Sequence, residues 1–392
     1  MNWVDLVIAL CVVTYAISGY RNGAVVGTLS IAGFVGGAVL GGQLAHPIST
    51  SVASGRAQIP LGLMCVLGFA LLGQLAGIAL ARPLRRRITH SAGRRADATL
   101  GAALSALGVL VVAWMLAVPL AAAPYPSLSR SVRESTLVHG VDTLMPAQMR
   151  TVYASLRGLV DRNGFPEVFG ALQPSRILGV NPPDNALTRS PAVASARDSV
   201  VKVRSTAPEC DRRTEGSGFV YAPGRVMTNA HVVAGSDRVS VETAAGRRPA
   251  TVVVFDPDRD VAVLAVSGLH VPALRFAGRV AGSGTDAIVA GFPRDGPFRV
   301  DAARVRDQER AVGDDIYGGT GVSRDIYALR ALVQPGNSGG PLLASDGSVL
   351  GVVFATAVDS RDTGYALTAA EVGRSASAGR VAEAAVDTQG CT

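Results

Sequence analysis

The chain has 392 residues, room for two or three domains, and 48% of them are hydrophobic, a high share for a soluble protein. Its net charge of +7 does not indicate nucleic-acid binding, because much of the excess lies in one arginine-rich loop near position 90. Residues 1–122 contain only two acidic residues, Asp5 and Asp97, whereas the rest has the composition of a globular chain. We therefore take the two parts separately and expect no nucleic-acid partner.

Four apolar segments open the chain. Each approaches the ~20 residues that a helix needs to cross a bilayer, and they cover about residues 4–20, 24–44, 60–81 and 100–122. The first has the length of a signal peptide, but it lacks a basic start and a cleavage site followed by a soluble domain. The pattern predicts a transmembrane domain of about four helices over residues 1–122, with the lipid bilayer as its partner.

The loop between the third and fourth segments sets the expected orientation. It contains Arg82, Arg85, Arg86, Arg87, Arg94 and Arg95. Positively charged loops stay in the cytoplasm, and the short turn at Arg21 falls on the same side. Both termini then face outward, so we expect a multi-pass cell-membrane protein whose residues after about 123 are periplasmic or extracytoplasmic.

The second segment carries Gly33, Gly37 and Gly41 at four-residue spacing. Small residues at this spacing let helices pack closely in lipid. No charged residue lies mid-span to line a pore, so a packed anchor is favoured over a channel. The opening "DLVIAL…ISGYRNGAVVGTLS" also resembles the colicin V production protein family.

Residues 123–190 form a predicted linker. Its apolar positions recur at helical spacing after the capping candidates Asp142 and Thr143, which predicts an amphipathic helix on the next domain or on the membrane surface. These positions are Met145, Met149, Val152, Leu156 and Val160. The stretch "NPPDNALTRSP" at 181–191 is rich in turn formers and indicates a flexible hinge, where proteolysis would concentrate.

The third part of the chain, residues 191–392, reads as an all-β domain. Short valine-rich runs such as "SVVKVR", "TVVVF" and "VLGVVFATA" alternate with glycine, proline and aspartate clusters. Such a pattern indicates a sandwich or a barrel. A length of about 200 residues fits two small barrels.

Three motifs in this domain place a histidine, an aspartate and a serine in that order. They are "VMTNAHVV" with His231, "DPDRDVAVLAV" with Asp260 and "QPGNSGGPL" with Ser338. A serine hydroxyl needs an adjacent base to act as a nucleophile, histidine titrates near neutrality, and a buried carboxylate fixes the imidazole tautomer. We expect these residues to form a catalytic triad that needs neither a cofactor nor a metal.

Glycines surround Ser338, so the backbone can turn tightly and aim two N–H groups at one point. We expect an oxyanion hole at Gly336, Asn337 and Ser338, in which the first and the last residue supply the N–H donors. Such preorganised donors are each worth about 3 kcal/mol to the transition state.

The motifs "TNAHVV", "DVAVL" and "GNSGGPL" resemble the trypsin-like proteases of the chymotrypsin fold, in particular the bacterial HtrA-type branch. The resemblance implies a chymotrypsin-like double β-barrel and a serine endopeptidase that acts on peptide or protein substrates. With four spans ahead of it, the architecture resembles the actinobacterial acid-resistance periplasmic serine proteases. That resemblance implies cleavage of cell-envelope proteins and a role under acid or oxidative stress. Self-cleavage near residues 181–191 is a separate hypothesis, based on the exposed hinge there.

The same resemblance implies the residues that bind the substrate. Leu332, six residues before the serine, occupies the place where trypsin keeps a specificity aspartate, so a preference for arginine or lysine is not supported. Phe354, Ala355 and Thr356 would form the strand that pairs with the substrate backbone.

Other assignments fit the sequence less well. Asp256 and Asp258 belong to a turn-like "DPD", while Asp260 directly precedes an apolar strand. Ser217 lies between two glycines but lacks a following "GGP", so we interpret it as strand packing. An α/β-hydrolase would place its histidine after the serine, and no histidine follows Ser338. A metalloprotease would need a metal-ligand motif such as H-E-x-x-H, which is missing.

Four cysteines divide into two groups. Cys11 and Cys65 lie in apolar runs as free thiols. Cys210 and Cys391 flank the third domain, and in an oxidising compartment such a pair indicates a disulfide.

The alternative to an active endopeptidase is a membrane scaffold or sensor whose protease fold binds peptides without turnover. A weaker third hypothesis is a transporter gated by the outer domain.

Overall fold

The computed structural model describes residues 2–52, 58–87, 90–121, 126–145, 177–210, 212–357 and 359–391. Its residues group into two compact units. The first unit contains the N-terminal helices up to Ala117 together with residues 135–146, and the second contains the remainder. The predicted amphipathic helix at 145–160 lies almost entirely outside the described residues.

Eight helices are present in the described chain. They are α1 (Trp3–Val52), α2 (Gln58–Arg86), α3 (Ser91–Ala121), α4 (Pro126–Arg133), α5 (Thr136–Leu144), α6 (Pro191–Ala196), α7 (Ala230–Val233) and α8 (Ala369–Val381). The segment expected to be a hinge contains a 3₁₀ turn, Asn185–Arg189, which Asp184 caps by accepting a bond from the Ala186 N–H.

The first two apolar segments lie on α1, which is interrupted at Gly23. Within the described residues, two helical stretches are long and apolar enough to cross a membrane, Trp3–Gly41 and Ser91–Ala117. Both expose large apolar side chains, among them Leu10 at 67% and Leu100 at 58%, as lipid-facing helices do. The count of four spans stays a prediction.

Close helix packing occurs at the predicted glycines. A Cβ at Gly33 would lie 2.1 Å from the Gly73 carbonyl oxygen, and one at Gly37 would lie 2.1 Å from the Phe69 carbonyl oxygen. Only glycine permits α1 and α2 to approach this closely. The prediction of a packed glycine face is confirmed at these two positions.

The interruption of α1 is stabilised by an acidic residue on α3. Gly23 has φ +80°, outside the helical range. The Val25 N–H, just beyond it, donates to Asp97 Oδ1 at 3.0 Å, and Arg85 Nε donates to Asp97 Oδ2 at 2.9 Å. A carboxylate in an apolar domain is costly unless it is paired, and Asp97 is paired with both a cation and a freed backbone donor.

The second unit contains two closed six-stranded barrels, as the valine-rich runs predict. Barrel one has the order β1-β2-β3-β6-β5-β4 and barrel two has the order β10-β11-β12-β9-β8-β7. The strands of barrel one are β1 (Val200–Ala207), β2 (Arg212–Ala222), β3 (Arg225–Thr228), β4 (Arg238–Thr243), β5 (Gly246–Asp256) and β6 (Val261–Ala265). Those of barrel two are β7 (Asp286–Gly291), β8 (Arg299–Asp314), β9 (Thr320–Arg330), β10 (Pro341–Ala344), β11 (Val349–Thr356) and β12 (Thr363–Thr368).

Apolar side chains fill each barrel and the space between them. One cluster combines Phe219 and Met227 of barrel one with Ile288 and Phe354 of barrel two, all fully buried. Each fully buried side chain of this size contributes about 1.5–3 kcal/mol. The two barrels are therefore held against each other by a shared core, and the loops at their junction are fixed.

Candidate active site

The structure brings His231 and Asp260 into direct contact. His231 lies on the short helix α7, and Asp260 lies in the turn between β5 and β6. The Nδ1 atom of His231 is 2.7 Å from Asp260 Oδ2, and the His231 N–H donates to Asp260 Oδ1 at 2.9 Å. Both carboxylate oxygens therefore face one residue, which fixes the orientation of the imidazole ring.

Asp260 is fully buried, and its backbone has φ +58°. A left-handed backbone at a non-glycine residue costs about 1–3 kcal/mol and persists where its surroundings hold it. Asn229 Nδ2 donates to the Asp260 carbonyl oxygen at 2.7 Å. Arg324 of β9 donates to the Asp258 carbonyl oxygen at 2.7 Å, so a hydrogen bond from barrel two also holds this turn in place.

Arg324 also places a positive charge near the buried carboxylate. Its side chain is 1% exposed, and burial lowers its pKa while Asp260 acts in the opposite direction. A buried carboxylate needs such compensation to stay ionised. The arginine was not predicted from the sequence.

Ser338 lies in a tight turn between β9 and β10. Gly336 has φ +96°, and a Cβ there would lie 2.4 Å from the Phe292 carbonyl oxygen. The Asn337 N–H donates to the Gln334 carbonyl oxygen at 2.9 Å, so this donor closes the turn and is not free for an oxyanion. The N–H groups of Gly336 and Ser338 donate to no group in the described chain.

The Ser338 hydroxyl makes no hydrogen bond within the described part of the chain, so the bond to His231 is not formed in this conformation. Catalytic hydrogen bonds in substrate-free enzymes are often long and tighten in the substrate complex. Ser338 is 3% exposed and its carbonyl oxygen accepts from the Ser217 N–H at 2.8 Å.

Ser217 holds the nucleophile turn against barrel one. Its hydroxyl donates to the Gly336 carbonyl oxygen at 2.6 Å and accepts from the Phe292 N–H at 2.9 Å. Its own carbonyl oxygen accepts from the Thr228 hydroxyl. The sequence interpretation of strand packing places Ser217 correctly in β2 but misses this role, for which the flanking glycines were the available signal.

The predicted substrate-binding residues lie on one side of barrel two. Phe354 and Ala355 are fully buried in β11, backbone and side chain alike, and Thr356 is partly exposed. β11 pairs with β12 through Thr356, whereas its pairing with β10 ends at Val352. An edge at 354–356 is thus unpaired within the described residues. Leu332 follows β9 and is 43% exposed.

The predicted disulfide is present, with Cα atoms of Cys210 and Cys391 6.6 Å apart. The chain leading to it crosses barrel one close to His231. The Gly235 N–H, which follows α7, donates to the Thr388 carbonyl oxygen at 3.0 Å. The Tyr317 hydroxyl donates to the Gly390 carbonyl oxygen at 3.0 Å.

Two protein families match this chain. Residues 216–352 match the trypsin-like peptidase domain, and residues 4–146 match the colicin V production protein. The first match includes all three motif residues, and the second covers the N-terminal helices.

Similar proteins extend these matches to nearly the whole chain. The serine proteases Rv3671c and MT3772 of Mycobacterium tuberculosis are each 41% identical over 375 residues, 95% of this chain and 94% of theirs. A probable periplasmic serine endoprotease, DegP-like, of Halomonas elongata is 35% identical over 36% of this chain and 29% of its own length. The crystal structure of the active form of the M. tuberculosis Rv3671c protease has a TM-score of 0.54 and 48% identity, over 55% of this chain and 96% of that one.

Proposed function

The chain belongs to the trypsin-like serine proteases, and we propose that it cleaves peptide bonds with Ser338 as nucleophile, His231 as general base and Asp260 as the orienting carboxylate. It is a membrane-associated serine endopeptidase. The observation that supports the residue roles best is the 2.7 Å contact between His231 Nδ1 and Asp260 Oδ2. The Ser338 turn adds two N–H groups that donate to nothing within the described residues.

In acylation, Ser338 Oγ attacks the carbonyl carbon of the scissile bond and its proton passes to His231 Nε2. Asp260 accepts from Nδ1–H and stabilises the imidazolium. The oxyanion receives hydrogen bonds from the Gly336 and Ser338 N–H groups. The imidazolium then protonates the leaving amine, and an acyl-enzyme ester on Ser338 remains.

In deacylation the same groups act on water. His231 Nε2 takes a proton from a water molecule, the resulting hydroxide attacks the ester carbon, and the N–H donors again hold the oxyanion. The proton returns to Ser338 Oγ as the acid product leaves. Each donor contributes about 3 kcal/mol to these transition states.

The substrate backbone would pair as an added strand with the edge of β11 at 354–356, which has no partner strand on that side within the described residues. Leu332 would border the pocket for the side chain before the scissile bond. A half-exposed leucine there favours an apolar residue over arginine or lysine.

We further propose that the protease domain faces the outer side of the membrane, anchored by four spans. The Cys210–Cys391 disulfide supports this, because such bonds persist in oxidising compartments. The arginine-rich loop at 82–95 would stay in the cytoplasm. Substrates would then be cell-envelope proteins, and a role under acid or oxidative stress fits that location.

The experiment that tests the triad is active-site labelling of the full chain in detergent micelles. A fluorophosphonate probe followed by mass spectrometry is expected to modify Ser338. Labelling should disappear in His231→Ala and persist in His270→Ala, a matched control because His270 lies exposed in a loop of the same domain. A folded protein with an intact disulfide and no labelling would support the peptide-binding scaffold instead.

A further inference from the structure

Lys202 is the only lysine in the chain. It lies on β1 of barrel one and is 8% exposed. Its Nζ donates to Asp295 twice, to Oδ1 at 2.7 Å and to the carbonyl oxygen at 2.9 Å. Nζ also lies 5.4 Å from the centre of the Phe292 ring. A single buried ammonium thus crosses from barrel one to the loop that follows β7 in barrel two.

The loop that receives Lys202 is a 3₁₀ turn, Pro293–Asp295, with an unusual backbone. Arg294 and Asp295 both have φ +55°. Two consecutive non-glycine residues in this region are unfavourable and persist only where other contacts hold them. Lys202 supplies such contacts, and Arg204 Nη2 adds a bond to Asp295 Oδ1 at 2.7 Å.

The Pro293–Asp295 turn orients the Pro335–Gly336 peptide, which carries an oxyanion-hole donor. The Arg294 N–H donates to the Pro335 carbonyl oxygen at 2.7 Å. The peptide bond between Pro335 and Gly336 is planar and trans, so its C=O and N–H point in opposite directions. Holding the Pro335 oxygen toward Arg294 therefore directs the Gly336 N–H away from that turn. If Arg294 moved, the peptide could rotate and the donor would be lost.

We propose that Lys202 and Asp295 are positioning residues for the oxyanion hole, acting through Arg294 and Pro335. The proposal rests on the proposed function, in which the Gly336 N–H binds the oxyanion. The Lys202 ammonium lowers the pKa of Asp295, against the effect of burial, so the carboxylate is ionised at neutral pH. Within the described residues, no hydrogen bond or ion pair joins either residue to the strand edge at 354–356.

The neighbouring pair of Arg204 and Glu242 supplies a control. Arg204 Nε donates to Glu242 Oε2 at 3.1 Å, and its Nη2 donates to Asp295 Oδ1. Glu242 pairs with Arg204 and Arg247 and lies opposite Lys202 on the neighbouring strand, and within the described residues no hydrogen bond or ion pair joins it to the turn. A general loss of charge pairing would follow from Glu242→Gln as well, whereas a loss of oxyanion positioning would not.

The test compares Lys202→Met, Lys202→Arg, Asp295→Asn and Glu242→Gln in the full chain. The measurements are kcat and KM on fluorescein-labelled casein and the rate constant of Ser338 phosphorylation by diisopropyl fluorophosphate, whose phosphoryl oxygen occupies the oxyanion hole. Removal of one such donor costs about 10²–10³ in kcat. For a displaced donor we expect Lys202→Met to lose about 10–100-fold in kcat and in the phosphorylation rate constant, with KM within about twofold. Lys202→Arg should recover most of the loss, and Glu242→Gln should match the wild type.

A folded Lys202→Met protein with wild-type kcat and phosphorylation rate would overturn the proposal, as would a change confined to KM. If Lys202→Met does not fold, Asp295→Asn gives the decision, because its side chain is 37% exposed and its carbonyl bond to Lys202 remains. An unchanged kcat there would refute the idea. Ser338→Ala separates the two proposals. If the Ser338→Ala protein keeps its activity, the proposed function is refuted. If Ser338→Ala abolishes activity while the Lys202 and Asp295 variants keep it, only the positioning role is refuted.

Discussion

Replacing Asp260 by asparagine tests how the carboxylate serves His231. Asparagine has the same shape but one oxygen and one amide nitrogen. In the wild type the backbone N–H of His231 donates to Asp260 Oδ1 at 2.9 Å. One orientation of the asparagine keeps its oxygen as the acceptor of this bond and places its amide nitrogen against His231 Nδ1. The amide then donates to Nδ1, so the ring proton moves to Nε2. The nitrogen that should accept the Ser338 proton is blocked.

The other orientation restores the tautomer but sets the amide against the His231 N–H. A buried N–H without an acceptor costs about 1–3 kcal/mol, so the blocked form dominates by about 5–150-fold. The imidazolium also loses its carboxylate partner. Together these effects predict a fall in kcat of about 10⁴, the loss typical of this change in a serine-protease triad. At 1.36 kcal/mol per tenfold, that is about 5 kcal/mol.

The assay is the acylation rate in a single turnover on a fluorogenic protein substrate, with thermal unfolding to establish the fold. Asp258→Asn is the matched control, because the Asp258 side chain is exposed and Arg324 binds only its backbone oxygen. An Asp260→Asn protein that retains more than about a tenth of wild-type kcat would refute the tautomer argument. So would equal losses in both variants.

Three further changes test other parts of the structure. Cys210→Ser should lower the free energy of unfolding by up to about 5 kcal/mol, since the bridge to Cys391 closes a 181-residue separation, and reductant should then have no further effect on Tm or activity. Burial and the adjoining Asp295 carboxyl raise the pKa of Glu215 above 4.5. The folded protein therefore favours the protonated form of Glu215, and ionisation of this residue lowers the stability of the fold as pH rises. The Tm advantage of Glu215→Gln should grow from pH 4 to pH 7, and a constant difference would contradict this. Ser217→Ala leaves a backbone donor and acceptor unpaired and should cost about 1–3 kcal/mol in denaturant unfolding and about tenfold in kcat, a loss absent from Ser195→Ala on the exposed face of α6.

The sequence predicts the site residues that depend on local chemistry. His231, Asp260 and Ser338 each sit in a short motif whose neighbours fix the backbone, so their residue types were informative on their own. The double barrel followed from valine-rich runs between turn signals, from the length of the domain and from the resemblance of the three ordered motifs to the chymotrypsin fold. The chemistry of Ser217 and Lys202 could not be predicted in the same way, because their partners lie 119 and 93 residues away. Such pairings arise from how two barrels pack, which no local pattern contains.

The N-terminal half gives a parallel case. Its two acidic residues stand out in the sequence, and a carboxylate in an apolar domain is expected to be paired. The identity of the partners is a matter of helix packing. Asp97 accepts from Arg85 and from the backbone at the Gly23 interruption, whereas Asp5 accepts from the Ser135 hydroxyl at 2.6 Å. The rule requires that partners exist, and only the structure names them.

The active site depends on the junction of the barrels more than on either barrel alone. Barrel one supplies His231 and Asp260, and barrel two supplies Ser338 and its turn. Each part of the site is held by a hydrogen bond from the other barrel. Arg324 of barrel two binds the Asp260 turn, and Ser217 of barrel one binds the Ser338 turn. A small rotation between the barrels would break both sets of bonds together while each closed sheet stayed intact. Activity should therefore be lost at lower denaturant concentrations than β-sheet structure, because the junction has fewer hydrogen bonds to lose than the barrels.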